Sequence, residues 1–223
     1  MTASDEIIRP EPRWPAILAS FAAVALHFAL PERIRIGPPW TIATLVAVLV
    51  IAATITRRRG MPRANNWIGY SILILLTGGL LFGVGSLVVA LVLHKAEAIE
   101  VLRAASVLWA TNTIVFATWY WRLDAGGPNA RERRGVHTEG AFLFPQMTFP
   151  AASDSSLTIA EEECWRPHFV DYLFVAFNTS TAFSPTDAPV LSKWAKVTMM
   201  IQAIISFTTV VLVAARAVNI LPT

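Results

Sequence analysis

The stretch 168–187, reading HFVDYLFVAFNTSTAFSPTD, is where residue types and spacing point to chemistry. Pro167 precedes it, and proline suits the first turn of a helix because the N–H it lacks would be unbonded there. Phe169, Leu173 and Phe177, with Tyr172 and Ala176, recur at helical spacing and give one apolar face. At about 1.5 Å per residue, such a helix is ~20 Å long, too short for a hydrocarbon core ~30 Å thick. Ala182, Phe183, Ser184, Pro185, Thr186 and Asp187, then Pro189, break it, and a full-length apolar segment follows. A half-length helix, a non-helical strand and a returning helix make a re-entrant loop. Irregular backbone at membrane depth is tolerated only when buried in protein or lining water. The C-terminus of the short helix carries partial negative charge, which favours a cation.

The elements that must position this stretch are read from hydropathy. Of the 223 residues, 55% are hydrophobic and 15% charged, against roughly a quarter charged in soluble domains. Mean hydropathy is +0.54, and the eight Trp suit interfacial anchoring. Five stretches approach the ~20 apolar residues that cross a bilayer: 14–30, 40–56, 67–93, 104–121 and 197–215. None has Asp, Glu, Lys or Arg in its interior, and each is expected to be a helix so that its backbone groups pair internally. The expectation is a single all-α, polytopic membrane domain over 1–223. Four N-terminal helices occupy 14–121, a polar loop 122–165, and the re-entrant helix, strand and last helix 166–220. Within the loop, Phe142-Leu-Phe-Pro145 reads as an interfacial anchor. No internal repeat, of the kind many transporters carry, is found.

The run from Asp171 to Asp187 resembles the pore helix and filter of the tetrameric potassium-channel superfamily, in which an aromatic-rich short helix ends in Thr residues before a filter and an Asp. The following helix, with Ile205-Ser206-Phe207, resembles the inner helix of those channels, and the likeness covers roughly the last quarter of the chain. The resemblance implies a filter region at Thr179, Thr181, Ala182, Phe183, Ser184, Pro185 and Thr186, with Asp187 at its mouth. It also implies a pore-lining helix carrying Gln202, Ser206 and Thr209, and a homotetramer, since one such loop cannot enclose a pore. The whole chain also looks like uncharacterised bacterial inner-membrane proteins with an FSPTD-type segment before their last helix. Potassium filters use glycines so that successive carbonyls turn toward the ion. This stretch has none, and Pro185 fixes one φ. The expectation is therefore passive conduction of monovalent cations, with weak or non-potassium selectivity, through hydroxyls and carbonyls. The alternatives are a small transporter and an accessory membrane subunit without conduction.

Charge orients the chain. One side collects Arg9, Arg13, Arg57, Arg58, Arg59, Arg63, Arg122, Arg131, Arg133, Arg134, Arg166, Lys193 and Lys196. The other has Arg33, Arg35, Lys95, Arg103 and Arg216. The positive-inside rule makes the first side cytoplasmic, in a multi-pass protein of the bacterial inner membrane. The loop then enters from the cytoplasm, inverted relative to potassium channels. The net charge of +3, with basic residues between apolar runs, argues against nucleic acid as a partner. Gly79 and Gly83 form a GxxxG pair suited to close helix packing. Asn112 and Gln202 are expected to hydrogen-bond between helices, and His27 to be a packing residue. Glu161-Glu162-x-x-x-Arg166 resembles the acidic motif of CAAX-type intramembrane proteases, but no His follows His168 to complete a metal site. With one cysteine, Cys164, and no hydrolase or phosphate-loop motif, the chain is read as a non-enzyme without cofactor or signal peptide.

Overall fold

A computed structural model describes residues 11–93, 97–134, 137, 140–147, 165–181 and 188–218. Its helices are α1 (Trp14–Phe28), α2 (Pro39–Arg58), α3 (Pro62–Val92), α4 (Ala98–Leu123), α5 (Pro128–Arg134), α6 (Phe169–Thr181) and α7 (Lys193–Val218). Proline opens α1, α2 and α3 in the first turn, where a missing N–H leaves no bond unmade. The chain reverses tightly between α2 and α3 at Gly60, whose φ is +65°.

Among the described residues, four helices are long and apolar enough to cross a membrane, centred on α2, α3, α4 and α7. α1 has 15 residues, about 22 Å, and falls short of the ~17 that mark the lower limit for a span. Of the five expected crossings, four therefore have the length and composition required, and α1 is a shorter apolar helix. Apart from two 3-10 turns and one isolated bridge, the described residues outside these helices form turns and irregular connections, and none is in a strand.

The distribution of polarity is that of a molecule whose solvent is hydrocarbon. Val48 and Ile51 on α2, Ile74 and Leu81 on α3, and Met200, Ile204 and Phe207 on α7 all face outward. Asn112, Gln202, Ser206 and Thr209 face inward and are nearly inaccessible. Outward hydroxyls bond back into their own helix: Thr44 to the Trp40 carbonyl, Thr54 to Val50, Ser71 to Trp67, Ser106 to Leu102 and Thr208 to Ile204, at 2.8–3.0 Å. A polar group exposed to lipid has no water to bond, so this internal pairing is required. Trp14, Trp40 and Trp67 project at the starts of α1, α2 and α3, as interfacial anchors do.

α4 is the hub, packed on α1, α3, α6 and α7, while α2 closes against α1 and α3. One core cluster joins Leu80 and Leu87 of α3, Leu108 and Tyr120 of α4, and Tyr172 and Ala176 of α6. Gly83 lets α3 approach α4, since a Cβ there would lie 2.7 Å from Leu108 Cδ2. Gly79 faces Ile42 of α2. The GxxxG pair thus serves packing inside the chain.

The expected interfacial anchor is corrected by the structure. Phe142 and Phe144 are buried, with Phe142 against Tyr120, Tyr172 and Trp194 and Phe144 against Tyr172 and Trp165. Their aromatic area is used in the core because the chain doubles back. Phe142 bridges Val190 in antiparallel sense, with Leu143 N–H donating to the Pro189 carbonyl at 2.9 Å and Leu191 N–H to that of Ala141 at 2.8 Å.

Candidate functional site: a half-length helix ending in a buried polar cluster

The sequence starts α6 firmly. His168 N–H donates to Asp171 Oδ2 at 2.7 Å, so the carboxylate reaches back over the first turn as in a capping box. Tyr172 OH then donates to Asp124 Oδ2 at 2.7 Å, placing the first turns of α6 just past the C-terminus of α4. Thirteen residues later the helix has advanced about 20 Å. Its last turn lies beside Trp109 and Thr113, halfway along α4: Trp109 Nε1–H donates to the Ser180 carbonyl and Thr113 Oγ1–H to Ser180 Oγ, each at 3.2 Å.

Gln202 of α7 completes this end. It is fully buried, and its Nε2 donates to the Ala176 carbonyl and to Ser180 Oγ, both at 2.7 Å. Its Oε1 accepts from Tyr120 OH, and its main-chain carbonyl accepts from Asn112 Nδ2 at 3.1 Å. Ser206 Oγ–H donates to the Ser180 carbonyl at 2.6 Å, and Thr209 Oγ1–H to that of Ser206 at 2.7 Å. α4, α6 and α7 are therefore joined by polar bonds at mid-bundle, each contributing about 0.6–2 kcal/mol in lipid. Asn112 Oδ1 is buried there with no hydrogen-bond partner among the described residues.

The sequence-predicted site residues distribute as follows. Thr179 is buried and donates to the Val175 carbonyl, while Thr181 is exposed and donates to that of Phe177. Ala182, Phe183, Ser184, Pro185, Thr186 and Asp187 lie outside the described residues. Gln202, Ser206 and Thr209 occupy the face of α7 turned into the chain, toward α4 and α6. Asn112 and Gln202 bond between helices. His27 is buried, with Nε2 lacking a hydrogen-bond partner among the described residues.

A second polar assembly sits where α1 begins, α2 ends and α4 ends. Arg131 is clamped by Glu11 through two bonds, Nε to Oε2 at 3.0 Å and Nη2 to Oε1 at 2.8 Å. Its Nη1 donates to the carbonyls of Trp121 and Asp124 at 2.9 and 2.7 Å, so a cation satisfies the C-terminal end of α4. The rings of Trp121 and Tyr172 each lie 5.8 Å from that guanidinium. Asp124 is fully buried and also receives the Ala141 N–H, with His137 Nε2 at 3.1 Å. Glu132 bridges Arg13 at 2.8 Å and Arg57 at 3.2 Å. Burial lowers the Arg13 pKa from its ordinary value, and the Glu132 carboxylate works against that shift.

Sequence reasoning treated these charges as flanks and counted them only for orientation. The signal was present in Arg122-Leu-Asp-Ala-Gly-Gly-Pro128, where a cation and an acid sit directly before a glycine turn. Ala125, Gly126 and Gly127 all have positive φ, at 49°, 77° and 85°, so the chain turns back on itself and drives Asp124 inward. A Cβ at Gly127 would lie 2.6 Å from the Arg122 carbonyl oxygen, which makes glycine a requirement there.

No group of three or more His, Cys, Asp or Glu suited to a metal ion occurs among the described residues. Compared with protein-family models, curated proteins and solved structures, the chain matches none.

Proposed function

We propose that the chain is a multi-pass protein of the bacterial inner membrane whose segment 166–220 acts as a pore-loop unit. In this reading α6 is a re-entrant pore helix, residues 182–187 are the filter-like strand, and α7 forms the wall. Four copies surround a path for monovalent cations of weak selectivity, and α1 is a fifth, short crossing. One observation carries the reading. α6 enters beside Asp124 and ends halfway along α4, yet by Pro189 and Val190 the chain is back beside Ala141, Phe142 and Leu143. A helix that stops at half depth, with the chain returning to the end it left, has the outline of a pore loop. The arginines at 13, 57, 122 and 131 gather at that same end, which favours entry from the cytoplasm.

The hydrogen bonds refine which surface would face the path. Gln202, Ser206 and Thr209 are engaged inside the chain, so a wall built on α7 would present Ile204, Phe207 and Val211 together with Thr181 of α6. Such an apolar wall favours gating by dewetting over coordination.

The test is cation flux in proteoliposomes for the full chain, Asp187→Asn and Thr181→Ala, with molecular mass in detergent. Flux by a tetramer, lowered several-fold by either substitution, is the expected result. A monomer or dimer without flux, or equal flux in all three proteins, overturns the proposal. The second reading, an accessory membrane subunit without conduction, is favoured by the same inward-turned face of α7. It predicts no flux and a stability strongly dependent on Gln202.

A further inference from the structure

Away from the α6–α7 loop, α1, α2, α3 and α4 enclose a cavity of ≈140 Å³ that the pore reading does not use. Its walls are mostly apolar, formed by Ala16, Ile17, Val50, Ala53, Ile72 and Leu73, and three arginines, Arg13, Arg57 and Arg122, line it as well. Thr54 and Arg57, at the edge of α2, are exposed, and Ile17, Val50 and Ala53 are half-buried, so the cavity opens sideways between α1 and α2. In a membrane that opening faces lipid.

The charges around it are unbalanced. Glu132 is shared between Arg13 and Arg57. Among the described residues no carboxylate serves Arg122, which is 8% exposed and donates only to the main-chain carbonyls of Asn65 and Asn66, at 2.8 and 3.1 Å. Its Nε is buried with no hydrogen-bond partner among the described residues, and so is that of Arg13. The position of Arg122 is specified by the neighbouring helix. A Cβ at Gly69 would lie 1.7 Å from Arg122 Nη2, so the guanidinium lies across a glycine face of α3. A guanidinium held in low dielectric without a counter-charge is costly, and a carboxylate or phosphate is what its planar fork pairs with best.

We propose that this cavity binds an anionic membrane amphiphile, with part of one acyl chain between α1 and α2 and its carboxylate or phosphate against Arg122 and Arg13. The volume suits several methylenes, since an apolar cavity of about 150 Å³ accommodates a benzene. The walls are mostly apolar, with Ser20, Asn65 and Thr118 among them, which favours an amphiphile over a hydrophilic anion such as free phosphate. The inference stands apart from the pore reading and fails or holds independently of it.

The test titrates the purified full chain in mild detergent with a short-chain phosphatidylglycerol, the matching phosphatidylcholine, and laurate. Bound amphiphile is counted by native mass spectrometry, and the melting temperature is followed in parallel. Phosphatidylglycerol or laurate should bind at least about ten-fold more tightly than phosphatidylcholine, and the tighter of the two identifies phosphate or carboxylate as the head. Arg122→Gln should abolish that preference. Ala53→Leu, on the half-buried wall, should weaken binding of the acyl chain with every arginine in place, so the outcome does not depend on Arg122→Gln folding. Equal binding of phosphatidylglycerol, phosphatidylcholine and laurate overturns the proposal. So does wild-type binding in a folded Ala53→Leu variant.

Discussion

Gln202 shows how one residue fixes the register of three helices. Both ends of its amide are used, one on α6 and the other on Tyr120 of α4, and its backbone carbonyl takes the Asn112 amide. Gln202→Leu keeps the volume but leaves the Tyr120 hydroxyl and the Ser180 Oγ short of a partner. It should cost about 2–6 kcal/mol, from two buried groups at ~1–3 kcal/mol each, read by unfolding in mixed micelles. Gly69→Ala should be comparably severe for a different reason, since its methyl group occupies the place of the Arg122 guanidinium. Pairing it with Arg122→Ala should recover part of the loss, a coupling that a double-mutant cycle measures. Gln202 and Asn112 were legible from sequence as polar amides inside apolar spans. Arg122 was not, because hydropathy scoring places a charge at the end of a run and says nothing of where its side chain goes.

Among the elements, hydropathy located the long helices and misjudged their ends. α3 begins at Pro62 and α4 at Ala98, several residues before the apolar runs that announced them. Asn65, Asn66, Glu100 and Arg103 lower local hydropathy without interrupting the backbone ladder, which continues beyond the hydrocarbon. Proline placement and the apolar spacing gave α6 to within one residue, since both are local signals. The inward turn of Phe142 and Phe144 was invisible, because it depends on pairing with residues nearly fifty positions later. The outward face of α7 is testable as an element. Ile204→Lys should cost about 2.5–3.5 kcal/mol where that face meets lipid, lowering the membrane-inserted yield in a translocon assay, and should leave the yield near normal where the face lines the proposed path. Ala203→Ser on the flank of the same helix should leave insertion nearly unchanged, because its hydroxyl can bond back to the preceding turn.

At the scale of the whole molecule, an apolar exterior surrounds two polar assemblies, one at mid-bundle and one at the arginine-rich end. They are joined through α6, whose Tyr172 touches Asp124 and whose Ser180 touches Gln202. Asp124→Asn should therefore loosen α6 along its length as well as the nearby turn. Hydrogen exchange of the α6 amides should rise in this variant, while that of α2 stays unchanged. Positive-inside counting foretold that the arginines of three separate segments share one end. It did not foretell that Glu11 and Glu132 would bind them into a knot, because ion pairing between distant segments is decided by tertiary folding.

The short antiparallel clasp between Phe142 and Val190 has a consequence for how this chain varies. Two main-chain hydrogen bonds hold the entry and exit of the intervening segment about one strand spacing, ~5 Å, apart. With that clasp at one end and Thr113 and Gln202 at the other, α6 is pinned at both its start and its tip. Its buried face on α4 must keep its register, so added or deleted residues should be tolerated before or after α6 and not within it.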